Sequence, residues 1–262
     1  MPAFYFSRIL YKIKNKEEKM KKYELTSETK VINGVELHRI KALESFGSVE
    51  KGELGGWIEG EKNLSQYGNA WVGDNAKVGG NAVVGGNAMV FNDAWVGEDA
   101  KVGGHAKVGG YTEVSGNAKV SGNAKVGGYA TVSGYAKVGG KAFISGNAFI
   151  SGNATVSGYA KVFEDAIIFE NAKVSDNATV GAKARVCEDA TVDKIADFIV
   201  FKNWWSSGRY FTWTRSNNKW MVGCFYGSGE ELIAKAYKDS EKSGREYERV
   251  VKYVESILKE GA

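Results

Sequence analysis

The chain has 262 residues, 34 glycines, one proline and a net charge of +4, too mild a balance to imply nucleic acid by itself. Its two cysteines, Cys187 and Cys224, exclude a disulfide framework and point to a reducing, cytoplasmic setting rather than secretion. No apolar run reaches the ~18 residues of a membrane helix, and apolar residues 1–10 precede Lys12, Lys14, Lys16 and Lys19, the reverse of a secretory signal.

Residues 1–19 do not match the rest of the chain, and Met20-Lys21-Lys22-Tyr23 reads as a natural beginning, so the first stretch is expected to be an extension or arm. Residues 23–43 predict a hairpin with Asn33-Gly34 as its tight turn. The segment after it, with Phe46, Trp57, Ile58 and then Asn63-Leu64-Ser65, completes a cap over residues 20–68. Such a cap is needed because the end of any stack of strands exposes an unpaired edge.

Residues 69–194 are one six-residue phrase repeated 21 times without insertion or deletion, as in Asn75-Ala76-Lys77-Val78-Gly79-Gly80. The second position is Ala except at Thr112, and the fourth is always Val or Ile. Two residues apart on a strand means the same side, so these two positions form a narrow interior, while the free-varying third position faces out. Gly, Asn or Asp at the junctions suits left-handed corners. A single copy cannot bury its own aliphatic residue, so copies must stack, each burial contributing roughly 1.5–3 kcal/mol.

This run resembles the hexapeptide-repeat superfamily, a left-handed parallel β-helix with three hexads per triangular coil, and the entry segment with Phe46, Trp57, Ile58 and Asn63-Leu64-Ser65 resembles the start of bacterial and phage β-helix proteins labelled transferases. The resemblance covers about half the chain. It implies an all-β solenoid of about seven coils, about 34 Å long at ~4.8 Å per rung.

With three hexads per coil, outward residues one coil apart form columns. One is Val83, Lys101, Lys119, Lys137, Thr155, Lys173, Thr191; a second is Trp71, Met89, Lys107, Lys125, Phe143, Lys161, Thr179; the third is Lys77, Trp95, Glu113, Thr131, Phe149, Ile167, Arg185. Between residues 101 and 163, Lys101, Lys107, Lys119, Lys125, Lys137, Lys141 and Lys161 face a single acid, Glu113, whereas acids gather toward both ends. This basic belt is read as an anion- or partner-binding surface. Apolar outer residues toward the start (Trp71, Met89, Phe91, Trp95) and finish (Phe143, Phe149, Phe163, Ile167, Phe169) are expected to form exposed patches that dock flanking modules or a second subunit.

Residues 195–262 change character to a small α+β module. Aromatic residues crowd a predicted hairpin around Ser216-Asn217-Asn218, and two helices come after it, with capping boxes at Ser228/Glu231 and Ser243/Glu246. Leu232, Ile233, Ala236 and Tyr237 line one helix, and Tyr247, Val250, Val251, Val254 and Leu258 the other. Most of the aromatics are needed for a core in so small a module, and Trp204, Trp205, Arg209 and Arg215 are left as candidate partner contacts.

The resemblance also implies an acyltransferase with CoA along the solenoid, a histidine as general base, and oligomers, commonly trimers. Only His38 and His105 are present, and His105, at the corner Gly104-His105-Ala106, is the sole candidate base. The projecting loops that shape an acceptor site in those enzymes are missing, and two histidines cannot supply the three zinc ligands of the anhydrase branch. The reading is therefore a non-catalytic scaffold without cofactor or metal, of bacterial or phage-like origin. It engages a macromolecular partner, protein in preference to nucleic acid, with a homodimer or trimer left open. The alternatives are the CoA-dependent acyltransferase and a nucleic-acid or nucleotide binder.

Overall fold

A computed structural model describes residues 21–32 and 34–260. The expected extension at residues 1–19 and the Asn33 half of the hairpin turn lie outside them. The hexads form 21 two-residue strands, β4 (Trp71–Val72) to β24 (Thr191–Val192), one per copy. Successive strands fall on three parallel sheets, so each strand pairs with the strand one full coil further along. The interior is an alternating stack of Ala and Val or Ile, fully shielded in most copies, such as Ala118, Val120, Ala148 and Ile150. Thr112 occupies its Ala site by donating its hydroxyl to the carbonyl of Gly109, at 2.5 Å. The three faces take the names of their first outward residues: the Trp71, Lys77 and Val83 faces.

The Lys77 face has eight parallel rungs rather than seven, so the solenoid has about eight turns. β3 (Leu54–Ile58) stacks on Lys77–Val78, with Trp57 opposite Lys77, and Leu64 bridges to Val84 in the same sense. This first turn escapes the pattern because Gly56 stands where Ala is usual; an added Cβ there would lie 2.5 Å from the Ala76 carbonyl. β1 (Tyr23–Ile32) and β2 (Val35–Ala42) form the expected hairpin, and β2 pairs with β3, so the hairpin continues the Lys77 sheet.

A meander extends beyond the last rung: β25 (Phe198–Lys202), β26 (Tyr210–Thr214), β27 (Lys219–Val222) and β28 (Phe225–Gly227), then α1 (Gly229–Asp239) and α2 (Glu241–Glu260). Phe211, Trp213, Trp220, Leu232, Val251 and Val254 form a second core. The Ser228/Glu231 box caps α1 as expected. The second box does not form. α2 starts at Glu241, and it is the Ser240 hydroxyl that accepts the Ser243 amide, at 3.1 Å. Ser240 closes one helix and opens the next, leaving no room for a cap three residues later.

Each end of the stack is closed by groups of matching hydrogen-bonding sense. At the start, open carbonyls receive donors: Asn63 Nδ2 donates to Gly80 and Ala82, and Lys22 Nζ to Gly68 and Ala70. Burial of Lys22, only 2% exposed, lowers its pKa to about 8 against a raising pull from Glu44. At the finish, open amides find acceptors. Arg185 N donates to Thr212 Oγ1, Thr191 N to Ser216 Oγ, and Asp193 and Lys194 N to the Asp197 carboxylate.

Candidate functional site

The predicted columns stack in register. Lys101, Lys119 and Lys137 are direct neighbours on the Val83 face, and Lys107 and Lys125 on the Trp71 face, with Phe143 and Lys161 next in line. All six lysines are exposed, and among the described residues none takes part in a salt bridge. At about 5 Å, neighbouring ammonium groups repel by roughly 0.8 kcal/mol in water, so these columns carry a standing demand for anions. Lys141, at the corner between these two faces, donates to the Tyr159 hydroxyl at 3.0 Å, which holds that phenol below its ordinary pKa.

Two grooves run beside the Val83-face lysines. One, of about 800 Å³, separates Lys101, Lys119 and Lys137 from the corner column Asn81, Asp99, Asn117, Tyr135 and Asn153. The other, of about 480 Å³, lies on the opposite side against Gly85, Gly86, Gly103 and Ser121.

The corners themselves differ along the stack. The sixth residue of every hexad but the last is left-handed, Lys194 being extended, and in the middle coils it is glycine. Toward the ends it includes Asp74, Asn92, Glu98, Glu164, Glu170, Asp176, Ala182 and Glu188, all with φ between 50° and 57°. Glutamate and alanine at such corners were not expected from the sequence. For four of the acids the reason is an inter-coil bond: Glu98 accepts the Gly116 amide at 2.6 Å, Asp74 that of Asn92 and Glu170 that of Glu188 at 2.9 Å, and Glu164 that of Ala182. Only the edge between the Val83 and Trp71 faces is glycine throughout from Gly86 to Gly158, at Gly86, Gly104, Gly122, Gly140 and Gly158. That edge runs between the two lysine columns. Sequence reading at the third position misses it, although the same sorting by coil at the sixth position displays it.

Other expected site residues separate. Trp71 is 3% exposed, tucked under the N-terminal cap edge-on to Phe46, so it belongs to the core and not to a surface patch. Met89, Phe91, Trp95, Phe163, Ile167 and Phe169 are half-buried. Phe91 and Phe163 fold over Gly109 and Gly181 of the next coil, where a Cβ would meet their rings within 2.6 Å, and Trp95 covers Gly97 in the same way. Phe143 and Phe149 stay exposed, at 44% and 39%, but on different faces, so they make no common patch. In the C-terminal module Trp204 is 81% exposed, whereas Trp205 packs on Phe211 and Tyr247 within the core. Arg209 and Arg215 are exposed, with Arg215 Nε donating to Ala196.

His105 is exposed at the glycine edge, and its ring lies 3.4 Å from the Asn87 amide. Among the described residues no carboxylate orients it, and neither groove is lined by it. Burial, with Glu170 and Glu188 close by, pushes the Cys187 thiol up to about 12, the opposite of an activated nucleophile. Both cysteines are free. No helix among the described residues is long and apolar enough to cross a membrane.

Residues 82–98 and 148–162 match the family described as YdcK Beta solenoid repeat. The matched stretches are rungs of the stack, and they support a β-helix repeat family without naming a chemistry. No curated protein matches the chain.

Proposed function

We propose that the protein is a non-catalytic β-solenoid scaffold that holds an anionic macromolecular partner along its basic middle coils. The observation that carries this is the in-register lysine ladder of Lys101, Lys119 and Lys137, without salt-bridge partners among the described residues and flanked by open grooves. Exposed like charges in register add little to the stability of the fold and present a continuous positive surface to an anionic partner. The uninterrupted hexads form a straight support, and the bacterial and phage-like resemblance fits a role as a binding surface rather than an enzyme.

The acyltransferase reading rests on His105, and an exposed imidazole beside an amide supports it poorly. Acetyl-CoA titrated to millimolar concentration should produce no saturable heat; saturable binding lost in His105→Ala would reverse the assignment. The scaffold reading is tested by capture from a bacterial lysate at graded salt. Wild type should retain an anionic partner that Lys101→Glu/Lys119→Glu/Lys137→Glu loses, and a partner retained equally by both would reject the lysine face as the site.

A further inference from the structure

We infer that the Lys77 face is an interface between two copies of this chain, packed antiparallel about a two-fold axis that crosses the Phe149 rung. The inference goes beyond the anionic-partner reading and does not depend on it, because both lysine-bearing faces stay uncovered.

Charge decides which face can meet a copy of itself. Lys101, Lys119 and Lys137 lie in register on the Val83 face, and Lys107 and Lys125 on the Trp71 face. Self-association through either would bury ammonium columns without counter-charges. The outward column of the Lys77 face runs Trp95, Glu113, Thr131, Phe149, Ile167 and Arg185, with no lysine among them. Phe149 is exposed at its middle. A lysine-poor surface centred on an aromatic ring has the composition of an interface core.

Two charges on this face lack partners. Among the described residues neither Glu113 nor Arg185 takes part in a salt bridge, and Arg185 Nε is buried without an acceptor. Glu113 and Arg185 are held four rungs apart, about 19 Å, so they cannot meet within one chain. Phe149 lies midway between them. A two-fold at its rung sets Glu113 of each copy against Arg185 of the other, Phe149 against its own symmetry mate, and Thr131 against Ile167. In the next column the same register lays the small Ser133 on the large Phe169. Parallel copies would set Glu113 on Glu113 and Arg185 on Arg185. A two-fold one rung earlier would set Lys77 on Arg185 and Glu113 on Phe149. A second copy also has the same rung spacing, so the pairing never drifts out of step along the face.

One side of the prism, six residues wide and seven hexad rungs long, measures roughly 20 Å by 30 Å, or about 600 Å². That is below the ~800 Å² per partner of a standard interface, so association is expected in the micromolar range.

The test is sedimentation equilibrium of the full chain from about 1 to about 200 μM. Wild type should follow a monomer–dimer equilibrium. Phe149→Lys, at an exposed position, sets two ammonium groups on the axis and should weaken the dimer on the order of a hundredfold. Glu113→Lys and Arg185→Glu should each weaken it on the order of tenfold, and Glu113→Lys/Arg185→Glu should return it to within about threefold of wild type. That rescue separates a lost contact from a damaged coil. Lys101→Ala/Lys119→Ala/Lys137→Ala should leave the dimer within about twofold of wild type. A monomer at every concentration, a trimer, a dimer indifferent to Phe149→Lys, or single swaps that the double fails to rescue each overturns the proposal. A dimer changed only by the lysine variant assigns the contact to the wrong face and overturns it too. The lysate capture is read separately, so either reading can fail alone.

Discussion

The middle coils and the end coils share one interior and differ at their corners. Both stack Ala on Ala and aliphatic on aliphatic without exposure. At the ends, left-handed corners carry Asp or Glu, whose carboxylates bridge to the next coil, and the terminal rungs are closed by Lys22, Asn63, Thr212, Ser216 and Asp197. In the middle, corners are bare glycine, and two of the three faces carry columns of lysines with no salt-bridge partner among the described residues. The difference teaches that the bonds tying one corner to the next coil are concentrated toward the ends of the stack, and the unpaired lysines in its middle. Acids at the ends serve the chain's own amides; among the described residues, Lys101, Lys119 and Lys137 in the middle form no salt bridge.

The largest expected effect should be indifferent to this division, because it acts on the shared interior. Ile150→Ala in the middle and Ile168→Ala nearer the finish remove equally buried side chains, and each should cost about 2–5 kcal/mol in denaturant unfolding. A loss confined to one of them would mean that the coils do not unfold as a unit. Next comes the end closure. Lys22→Met leaves the Ala70 carbonyl without its 2.8 Å donor and should cost about 1–3 kcal/mol. The pH dependence has a definite sign. Lys22 releases its proton near 8 when folded but near 10.5 when unfolded, so wild-type stability rises with pH across that window and is lower, and level, below it. The thermal-stability gap between wild type and Lys22→Met should therefore widen from pH 8 toward pH 10; a flat gap would mean that the ammonium is not desolvated.

A smaller effect probes the corner bridges. Glu98→Ala keeps the left-handed backbone and removes the bond to Gly116, for about 0.5–1.5 kcal/mol. Glu98→Gly should recover part of that by relieving the backbone. The smallest belongs to the lysines. Replacing Lys101, Lys119 and Lys137 with Ala should leave the unfolding midpoint unchanged or slightly raised, since roughly 0.8 kcal/mol of repulsion per neighbouring pair is removed. A clear loss of stability would contradict their assignment to an external partner.

The sequence displays the columns in full because a strict period without insertions leaves the register no freedom, as the Lys101–Lys119–Lys137 pairing confirms. It does not display the first turn, where the coil from Trp57 to Lys77 is longer than three hexads and Gly56 stands in place of Ala. Trp71 reads as a surface residue because its burial depends on Phe46 and the hairpin, a tertiary contact that no local period encodes. Phe91 and Phe163 read as surface patches for a simpler reason: the glycines one coil later, Gly109 and Gly181, leave a flat backbone onto which the rings fold. Lys22 and Asp197 carry no motif at all, and only the geometry of a stack's ends explains why a charged residue is buried there. Of the candidate site, the lysines are legible at the third position and the glycine edge only at the sixth, where it stands out by contrast with the acids at the same hexad position elsewhere.

The coil of three hexads has a consequence for how such a chain can change by duplication. Gaining or losing a whole coil returns every downstream residue to its own face, so the C-terminal module would still meet the last rung through Thr212 and Ser216. Gaining or losing a single hexad turns everything downstream by a third of a revolution. The lysine columns would then be divided between faces, the glycine edge would be cut, and the closing module would arrive over the wrong sheet. Copy-number variation within this repeat is thus tolerated in steps of three and penalised in steps of one, which makes the length of the molecule heritable in discrete units.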